Sequence, residues 1–377
     1  MHGQPNSRKH WYSNIKLGYR WLDGEAGAQM FLRNCWYVAA WDHEVHRLQL
    51  MRRILLGEPV ALYRKSDGKV VALEDRCCHR HAPLSMGTIK GDNVECRYHG
   101  LSFDPAGKCI RIPWQENIPR SACVKSYPVA EKYHWVWIWM GDSALADESL
   151  IEDFHWMDNP DWRFKGERLH VDGNYLLVVE NLLDLSHLPY VHATSPADTA
   201  IAKNDIPVKY ERDGNNVRVQ RWVRDTPVPP YFRLLADFGK DDRVDRWMNL
   251  EYSPPAMVRI DIGAAKAGTG AERGDRSQGV TTWNLNAITP ETDKTSHYFW
   301  AQTQNFSIDD PSMSDVDFQL VHGAFPEDLA MIKAQQENID LRPDAGRLNI
   351  TNDTGGLMAR RIIDQLVRQE EKGTATA

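Results

Sequence analysis

Two short loops of the sequence each combine one cysteine with one histidine at a spacing that suits a metal centre. The segments EDRCCHRHAP and ECRYHG contain Cys77-x-His79 and Cys96-x2-His99, with sixteen residues between the two pairs. Two cysteines and two histidines bind either tetrahedral zinc or a Rieske [2Fe–2S] cluster, in which the thiolates hold one iron and the imidazoles hold the other. A common zinc finger supplies both cysteines before both histidines. One cysteine and one histidine in each loop favour the Rieske cluster over zinc.

The segment ENLLDLSHLPYVH could supply a second metal centre. Its His187 and His192 are five residues apart, which on an unbroken helix separates them by about 140°. Pro189 lies between them and lacks a backbone donor, so it favours a helix break that would let both imidazoles reach one metal. Two histidines plus one carboxylate form the facial triad of non-heme Fe(II) oxygenases, which leaves coordination positions open for O2.

The carboxylate must come from elsewhere, and the segment FPEDLAMIKAQQ offers one. Asp328 lies on the flank of the apolar stripe that Phe325, Leu329 and Ile332 would form on a helix, whereas Glu327 points to the far side. Asp328 is therefore the more inward of the two carboxylates. On spacing alone, the simpler interpretation is an acid that stabilises the N-terminus of a helix.

Two further side chains lie upstream of His187. Asp184 precedes it by three residues, on the same face of a helix. Its carboxylate could hydrogen-bond the ring N–H of a metal-bound histidine, which would orient that ring. Asn181, a further turn back, is a weaker candidate, because an asparagine that caps or bridges buried backbone explains it equally well.

Composition and charge narrow the class of protein. The formal charge of −7 over 377 residues argues against a nucleic-acid binder. All six cysteines fall in the first third of the sequence, and residues 1–29 contain no apolar core of a secretory signal; we therefore expect a metal site and not a disulfide framework. The longest apolar run, Trp135 to Gly141, is too short to span a membrane. Residues 1–29 are interpreted as a flexible or tag-like extension, and a cytoplasmic location is expected.

The order of the elements predicts an α+β protein. From Cys35 to Gly141, short strands alternate with turn signals, which predicts a small antiparallel β domain. A stretch rich in Asp, Ala and Ser resembles a linker that runs to Glu152. Thereafter we predict a helix or helical lead-in at 174–188, strands at 208–223, 257–263, 280–288 and 297–304, and helices at 326–339 and 357–371. Strands followed by a long helix indicate an α+β domain.

Both motifs, in this order, resemble those of the Rieske oxygenase α subunits. Within that family the similarity is greatest to the vanillate O-demethylase oxygenases, with dicamba monooxygenase more distant. It runs from about Met30 to about Glu371 and includes the segments FLRNCWYVAAW, VDRW and RRIIDQL. The resemblance implies an all-β Rieske domain of two small sheets over 30–142. It also implies a helix-grip catalytic domain over 150–372, in which a curved antiparallel sheet surrounds a long helix.

Residue by residue, the resemblance implies ligands for both centres. The cluster ligands fall on Cys77, His79, Cys96 and His99, and the mononuclear Fe(II) ligands fall on His187, His192 and Asp328. Asp184 falls on a carboxylate that bridges His187 to a cluster ligand of a neighbouring subunit, there expected to be His99.

The ligands in the first loop can be assigned in two ways. Cys78 stands where the family usually has Pro, and His81 where it often has Gly, so Cys78-x2-His81 is an alternative half-site. The acidic pair Glu74-Asp75 before the loop and the segment APLS after it lie in the family's usual register. They favour Cys77 and His79.

The resemblance also implies partners and a reaction. Members assemble as head-to-tail homotrimers and receive electrons from NADH through a separate reductase that carries FMN and a [2Fe–2S] centre. The expected reaction is oxidation of an aromatic substrate with O2, foremost O-demethylation of a vanillate-like methoxybenzoate to a phenol and formaldehyde. Ring or methyl hydroxylation and N-demethylation are alternatives within the family. A zinc-bearing, non-enzymatic module is the alternative from a different class.

Three residues are expected to contact the substrate. Arg259 and Asn286 lie near a strand position that contacts substrate in dicamba monooxygenase, and Asn181 lies near the predicted iron ligands. An inward-facing Arg259 could pair with a substrate carboxylate. Alternation along a strand places it opposite Val258 and Ile260, so a solvent-facing arginine is equally consistent with the sequence.

Overall fold

Eleven short strands build the first part of the chain in the computed structural model, which describes residues 31–192 and 206–374. They are β1 Trp36–Trp41, β2 Met51–Leu55, β3 Glu58–Arg64, β4 Val70–Glu74, β5 Thr88–Lys90, β6 Asn93–Glu95, β7 Ser102–Phe103, β8 Cys109–Arg111, β9 Ser126–Tyr127, β10 Val129–Lys132 and β11 Trp135–Trp139. They form sheets of order β1-β11-β10, β2-β3-β4-β9 and β5-β6-β7-β8. The predicted β domain is confirmed, with three sheets rather than two. The expected extension at 1–29 lies outside the described residues.

The three-stranded sheet joins the two parts of the molecule. Strand β11 reads WVWIW and is buried over its whole length, as its unbroken apolar pattern predicts. Its three tryptophans pack with Met257, Leu285 and Phe299 of the second part, while Val136 and Ile138 pack into the core on the opposite side. Large aromatic side chains bury the most apolar area per residue, and this layer therefore holds the second part against the first.

One seven-stranded antiparallel sheet dominates the second part. Its strands are β12 Arg163–Val171, β13 Val208–Asp213, β14 Asn216–Pro227, β15 Arg243–Ser253, β16 Met257–Lys266, β17 Gly279–Pro290 and β18 Ser296–Gln304. Their order in the sheet is β12-β18-β17-β16-β15-β14-β13. The single strand predicted over 208–223 is instead a hairpin, because Gly214 adopts a left-handed φ of 59° between β13 and β14. The sequence analysis did not predict β12 or β15.

Helices cover the other face of this sheet. They are α1 Tyr175–Leu182, α2 Leu188–Val191, α3 Pro230–Leu235, α4 Pro311–His322, α5 Phe325–Leu341 and α6 Thr354–Thr374. Leu177 of α1, Ile332 of α5 and Ile363 of α6 share one buried core with Leu250 and Val258 of the sheet. Long helices against a large antiparallel sheet confirm the predicted α+β class. In the described part of the chain, no helix is long and apolar enough to cross a membrane.

Candidate metal centres

The two cysteine–histidine loops have the same backbone architecture. Cys77 N–H donates to the carbonyl five residues later at 2.9 Å, and Cys96 N–H does the same at 2.7 Å. The carbonyls of these cysteines accept from His81 N–H and Gly100 N–H respectively, each at 2.9 Å. His81 and Gly100 both have left-handed backbone, with φ of 57° and 72°. Cys77 therefore matches Cys96, and His81 occupies a turn position that Gly100 fills in the second loop.

Burial divides the four predicted cluster ligands into two pairs. Cys77 and Cys96 are each 2% exposed. Burial raises the pKa of the Cys77 thiol to about 12, and the neighbouring Cys96 thiol adds to this shift. His79 and His99 are exposed, and their ring centroids lie 4.6 Å apart with the rings edge to face. Two adjacent thiols inside and two adjacent imidazoles outside provide the donor set of a Rieske cluster.

Cys78, the alternative ligand, has different neighbours from Cys77. Burial raises the pKa of Cys78, and the next contributions come from the thiols of Cys109 and Cys123. Asp75, whose side chain is fully buried, fixes the loop by accepting from Ser85 N–H at 2.6 Å and from Ser85 Oγ–H at 2.7 Å. We propose on these grounds that Cys77 and His79 form the half-site of the first loop.

The helix that precedes the second histidine motif ends earlier than predicted. Helix α1 ends at Leu182, and the Asp184 carboxylate then accepts from Ser186 N–H at 2.7 Å and from Ser186 Oγ–H at 2.9 Å. A side chain that binds backbone two residues on makes a tight turn. Helix α2 follows with Pro189 in its first turn, where proline is well tolerated. The prediction of a break between His187 and His192 was wrong: residues 188–191 are helical, and the break lies before His187.

This turn brings three candidate ligands together. The ligand atoms of His187, His192 and Asp328 lie within 4.8 Å of one another. Asp328 Oδ1 is 3.5 Å from His187 Nε2, and Asp328 Oδ2 is 3.3 Å from His192 Nε2. His192 is 2% exposed. Two imidazoles and one carboxylate on a common point are the donor set of a mononuclear Fe(II) site with open positions.

The Nδ1 atoms of His187 and His192 also have hydrogen-bond partners. His187 Nδ1 lies 2.6 Å from the Asp184 carbonyl oxygen, so the predicted contact is made by the backbone and not by the Asp184 carboxylate. His192 Nδ1 lies 2.8 Å from Glu327 Oε2, and the prediction that Glu327 points away was wrong. With each Nδ1 donating a proton, each Nε2 is free to bind a metal. The hydrogen bond to Asp328, followed by that to Glu327, raises the pKa of His192 although burial opposes the shift.

An apolar cavity of about 180 Å³ adjoins these ligands. Its helical wall contains the three candidate ligands with Asn181 and Asp184, and its sheet wall contains Arg246, Met248, Ile260, Ile262 and Asn284. Tyr231 and Phe232 of α3 and Leu320 of α4 also line it. An apolar cavity of roughly 150 Å³ accepts one benzene ring, so this volume suits a substituted aromatic molecule beside the metal.

Two domain families match the chain in the same order as its two parts. Residues 35–128 match the Rieske [2Fe-2S] domain, and residues 171–369 match the vanillate O-demethylase oxygenase C-terminal domain. The second match spans more than half of the 377 residues. The chain belongs to the vanillate O-demethylase family of Rieske oxygenases. It is a monooxygenase component, which excludes the alternative of a non-enzymatic zinc module.

Relatives of this Rieske oxygenase act on several aromatic compounds. It is 44% identical over 348 residues to the iron-sulfur subunit of the toluene-4-sulfonate monooxygenase system of Comamonas testosteroni, covering 92% of this chain and 100% of that one. It is 36% identical to the vanillate O-demethylase oxygenase subunit of Pseudomonas sp. HR199, covering 92% and 98%. A crystal structure of dicamba monooxygenase with non-heme iron and dicamba superposes with a TM-score of 0.76 at 32% identity, covering 91% and 99%.

The substrate contacts expected in this oxygenase need correction. Arg259 lies on the face of β16 away from the cavity, where it pairs with Glu152 at 2.9 Å and Glu251 at 3.4 Å. Asn286 does not line the cavity either: it is fully buried, and its amide donates to Asn284 Oδ1 at 2.8 Å. Asn181 does line the cavity, and it donates to Asp328 Oδ1 at 2.9 Å.

Two functional candidates were missed by the sequence analysis. Glu327 was set aside because a helical wheel describes only the helix itself and not where the His192 ring lies. Arg246 was passed over within the VDRW segment. On β15 it alternates with Val244 and Met248 on one face, and a charge at such an inward position is the signal that could have found it.

A pair of cysteine variants tests the cluster register. Cys78→Ser is expected to leave the visible absorption of the purified oxygenase intact, whereas Cys77→Ser should bleach it, because thiolate ligation gives a Rieske cluster its colour. The visible spectrum of each variant is the measurement. The opposite result would move the half-site to Cys78 and His81.

A second prediction concerns Glu327. Glu327→Gln is expected to weaken iron binding at the mononuclear site by roughly 10–100-fold, the usual cost of losing a carboxylate that orients a metal-bound histidine. Iron content after equilibration with graded chelator measures this effect, and the Rieske colour should not change. Glu337→Gln, an exposed position on the same helix, is the control. Equal iron affinity in both variants would contradict the role of Glu327.

Proposed function

We propose that this chain oxidises a methyl group of an aromatic acid, with O-demethylation of a methoxybenzoate as the leading reaction. The main support for this proposal is the apolar cavity of about 180 Å³ whose wall contains His187, His192 and Asp328. Its size suits one substituted ring, and its position places that ring beside the candidate iron ligands. Relatives that act on vanillate and dicamba support the demethylation of an aryl methyl ether.

The residues of the cavity have separable tasks. His187, His192 and Asp328 would hold Fe(II), and the loops with Cys77, His79, Cys96 and His99 would hold the [2Fe–2S] cluster. When bound, the iron activates O2 and the cluster delivers electrons one at a time. Apolar side chains of the wall exclude water from the substrate methyl group, which suppresses side reactions; they include Leu182, Leu185, Phe232, Ile260 and Ile262.

The proposed reaction balances with two external electrons. The aryl methyl ether, O2, two electrons and two protons give a hemiacetal and water. The hemiacetal then collapses to a phenol and formaldehyde. Oxygenase components of such systems depend on a separate reductase, and we propose one that takes electrons from NADH through FMN and a [2Fe–2S] centre. The homotrimer and the cytoplasmic location expected from the sequence remain predictions.

Hydroxylation of a methyl group bound directly to the ring is the second candidate. The 44% identity to the subunit of a toluene-4-sulfonate monooxygenase system favours it. The product would then be a benzylic alcohol, without release of formaldehyde. Both reactions break a C–H bond of a methyl group in the same position, so the same cavity serves either one.

One panel of substrates separates these reactions. The purified oxygenase with a generic reductase and NADH is supplied with vanillate, 4-methoxybenzoate, 4-toluenesulfonate and 4-methylbenzoate. Formaldehyde from the first two supports O-demethylation, and a benzylic alcohol from the last two supports methyl hydroxylation. His187→Ala is the control that should abolish both. Turnover of none of the four, with both metal centres loaded, would overturn the proposed function.

A further inference from the structure

A buried arginine forms part of the sheet wall of the substrate cavity. Arg246 is 2% exposed and lies on β15, where it pairs in register with Ala264 of β16. The same wall continues through Met248, Ile260 and Ile262, which are apolar. Arginine is seldom this deeply buried, and here its side chain lies at the wall of the cavity and not at the protein surface.

Arg246 keeps its charge in this position. Burial lowers the pKa of its guanidinium to about 10, which still leaves the group protonated at neutral pH. Among the described residues that line the cavity, no other is an arginine or a lysine. Arg246 is therefore the permanent positive charge of the cavity wall, whereas the candidate iron ligands lie on the opposite, helical wall.

We propose that Arg246 binds the anionic group of the substrate, a carboxylate or a sulfonate, and so restricts the cavity to aromatic acids. This inference rests on the function proposed above. The planar guanidinium can donate two parallel hydrogen bonds to two oxygens of either anion. A ring anchored through its anion on the sheet wall presents its far side, with the methyl or methoxy group, to the helical wall. Arg246 thus takes the role that the sequence analysis had assigned to Arg259.

Binding of unreactive anions tests the inference without relying on turnover. Calorimetry on the holoenzyme measures the Kd values of benzoate, benzenesulfonate and the neutral methoxybenzene. Arg246→Leu is expected to weaken both anions by roughly ten-fold to a hundred-fold, as the loss of a charge-assisted hydrogen bond requires, while methoxybenzene binds unchanged. The matched control is Arg259→Leu on the neighbouring strand, whose side chain faces away from the cavity; it should alter none of the three.

Each result has a defined meaning. Equal weakening of anions and methoxybenzene by Arg246→Leu, or failure of the wild-type protein to bind either anion, overturns the inference. If Arg246→Leu does not fold, Arg246→Lys supplies the test, because a lysine keeps the charge without the planar pair of donors. It should weaken both anions selectively, and unchanged anion affinity would count against Arg246. Selective anion binding together with no methyl oxidation would refute the proposed function and leave this inference standing.

Discussion

Asp328→Ala is expected to abolish iron binding at the mononuclear site and all turnover, while the visible spectrum of the Rieske cluster persists. The Asp328 carboxylate lies between His187 Nε2 and His192 Nε2, at 3.5 Å and 3.3 Å. Its removal leaves two neutral imidazoles and no anionic ligand. The loss should exceed the roughly 10–100-fold effect of an outer contact, because a direct ligand is removed.

The cluster should survive because it lies in a separate part of the chain. Its candidate ligands come from loops among the small N-terminal sheets, whereas Asp328 lies at the start of α5. Metal analysis and the visible spectrum of the same sample measure the two centres independently. His187→Ala and His192→Ala should reproduce the result, and Glu337→Ala on the same helix should not.

Retention of iron and turnover in Asp328→Ala would show that another carboxylate completes the triad. Glu327 would be the first candidate, since it already lies 2.8 Å from His192 Nδ1. Asp317 would be the second. It is 1% exposed, burial raises its pKa to about 6, and its carboxylate accepts from Tyr231 Oη–H at 2.7 Å. That environment already satisfies the Asp317 carboxylate without a metal.

Residue type and spacing indicated that His187 and His192 could share a metal, and the family resemblance added Asp328. Neither predicted which atoms orient the two imidazoles. The helix was predicted to break between His187 and His192, but it breaks before His187, at the turn that Asp184 makes with Ser186. The orientation of each imidazole depends on the turn at Asp184 and on where α5 approaches α2. The Asp184 carboxylate binds the backbone of its own turn, and the Asp184 backbone carbonyl holds the His187 ring. Sequence periodicity does not distinguish this arrangement from one in which the carboxylate holds the ring.

The substrate wall was harder to predict for a related reason. Both faces of the large sheet are covered, by helices on one side and by the three tryptophans of β11 on the other. Alternation in β16 therefore gives two buried faces and does not tell which one meets the cavity. Arg259 lies on the face that packs against β11, where it forms ion pairs with Glu152 and Glu251. Arg246 lies on the helical side, where the cavity is.

Asp184→Asn is expected to leave both metal centres loaded and the cluster reducible, yet to slow electron delivery to the iron. His187 is held by the Asp184 carbonyl and not by the carboxylate, so the substitution should not release iron. An asparagine can still accept from Ser186 N–H, which preserves the turn. What the variant lacks is the negative charge. In the trimer expected from the family resemblance, Asp184 would bridge His187, through its carbonyl, to His99 of a neighbouring subunit, through its carboxylate.

Rapid mixing of the reduced variant with O2 and substrate measures this step through reoxidation of the cluster. We expect reoxidation of the cluster in the variant to be much slower than in the wild-type protein. Ser186→Ala is the matched control, because it removes the hydroxyl partner of the Asp184 carboxylate and keeps its charge. Slow reoxidation in Asp184→Asn alone, with the trimer intact, supports the bridge. Reoxidation at the wild-type rate would refute it, and loss of iron would mean that the carboxylate supports His187 within its own subunit despite the backbone contact.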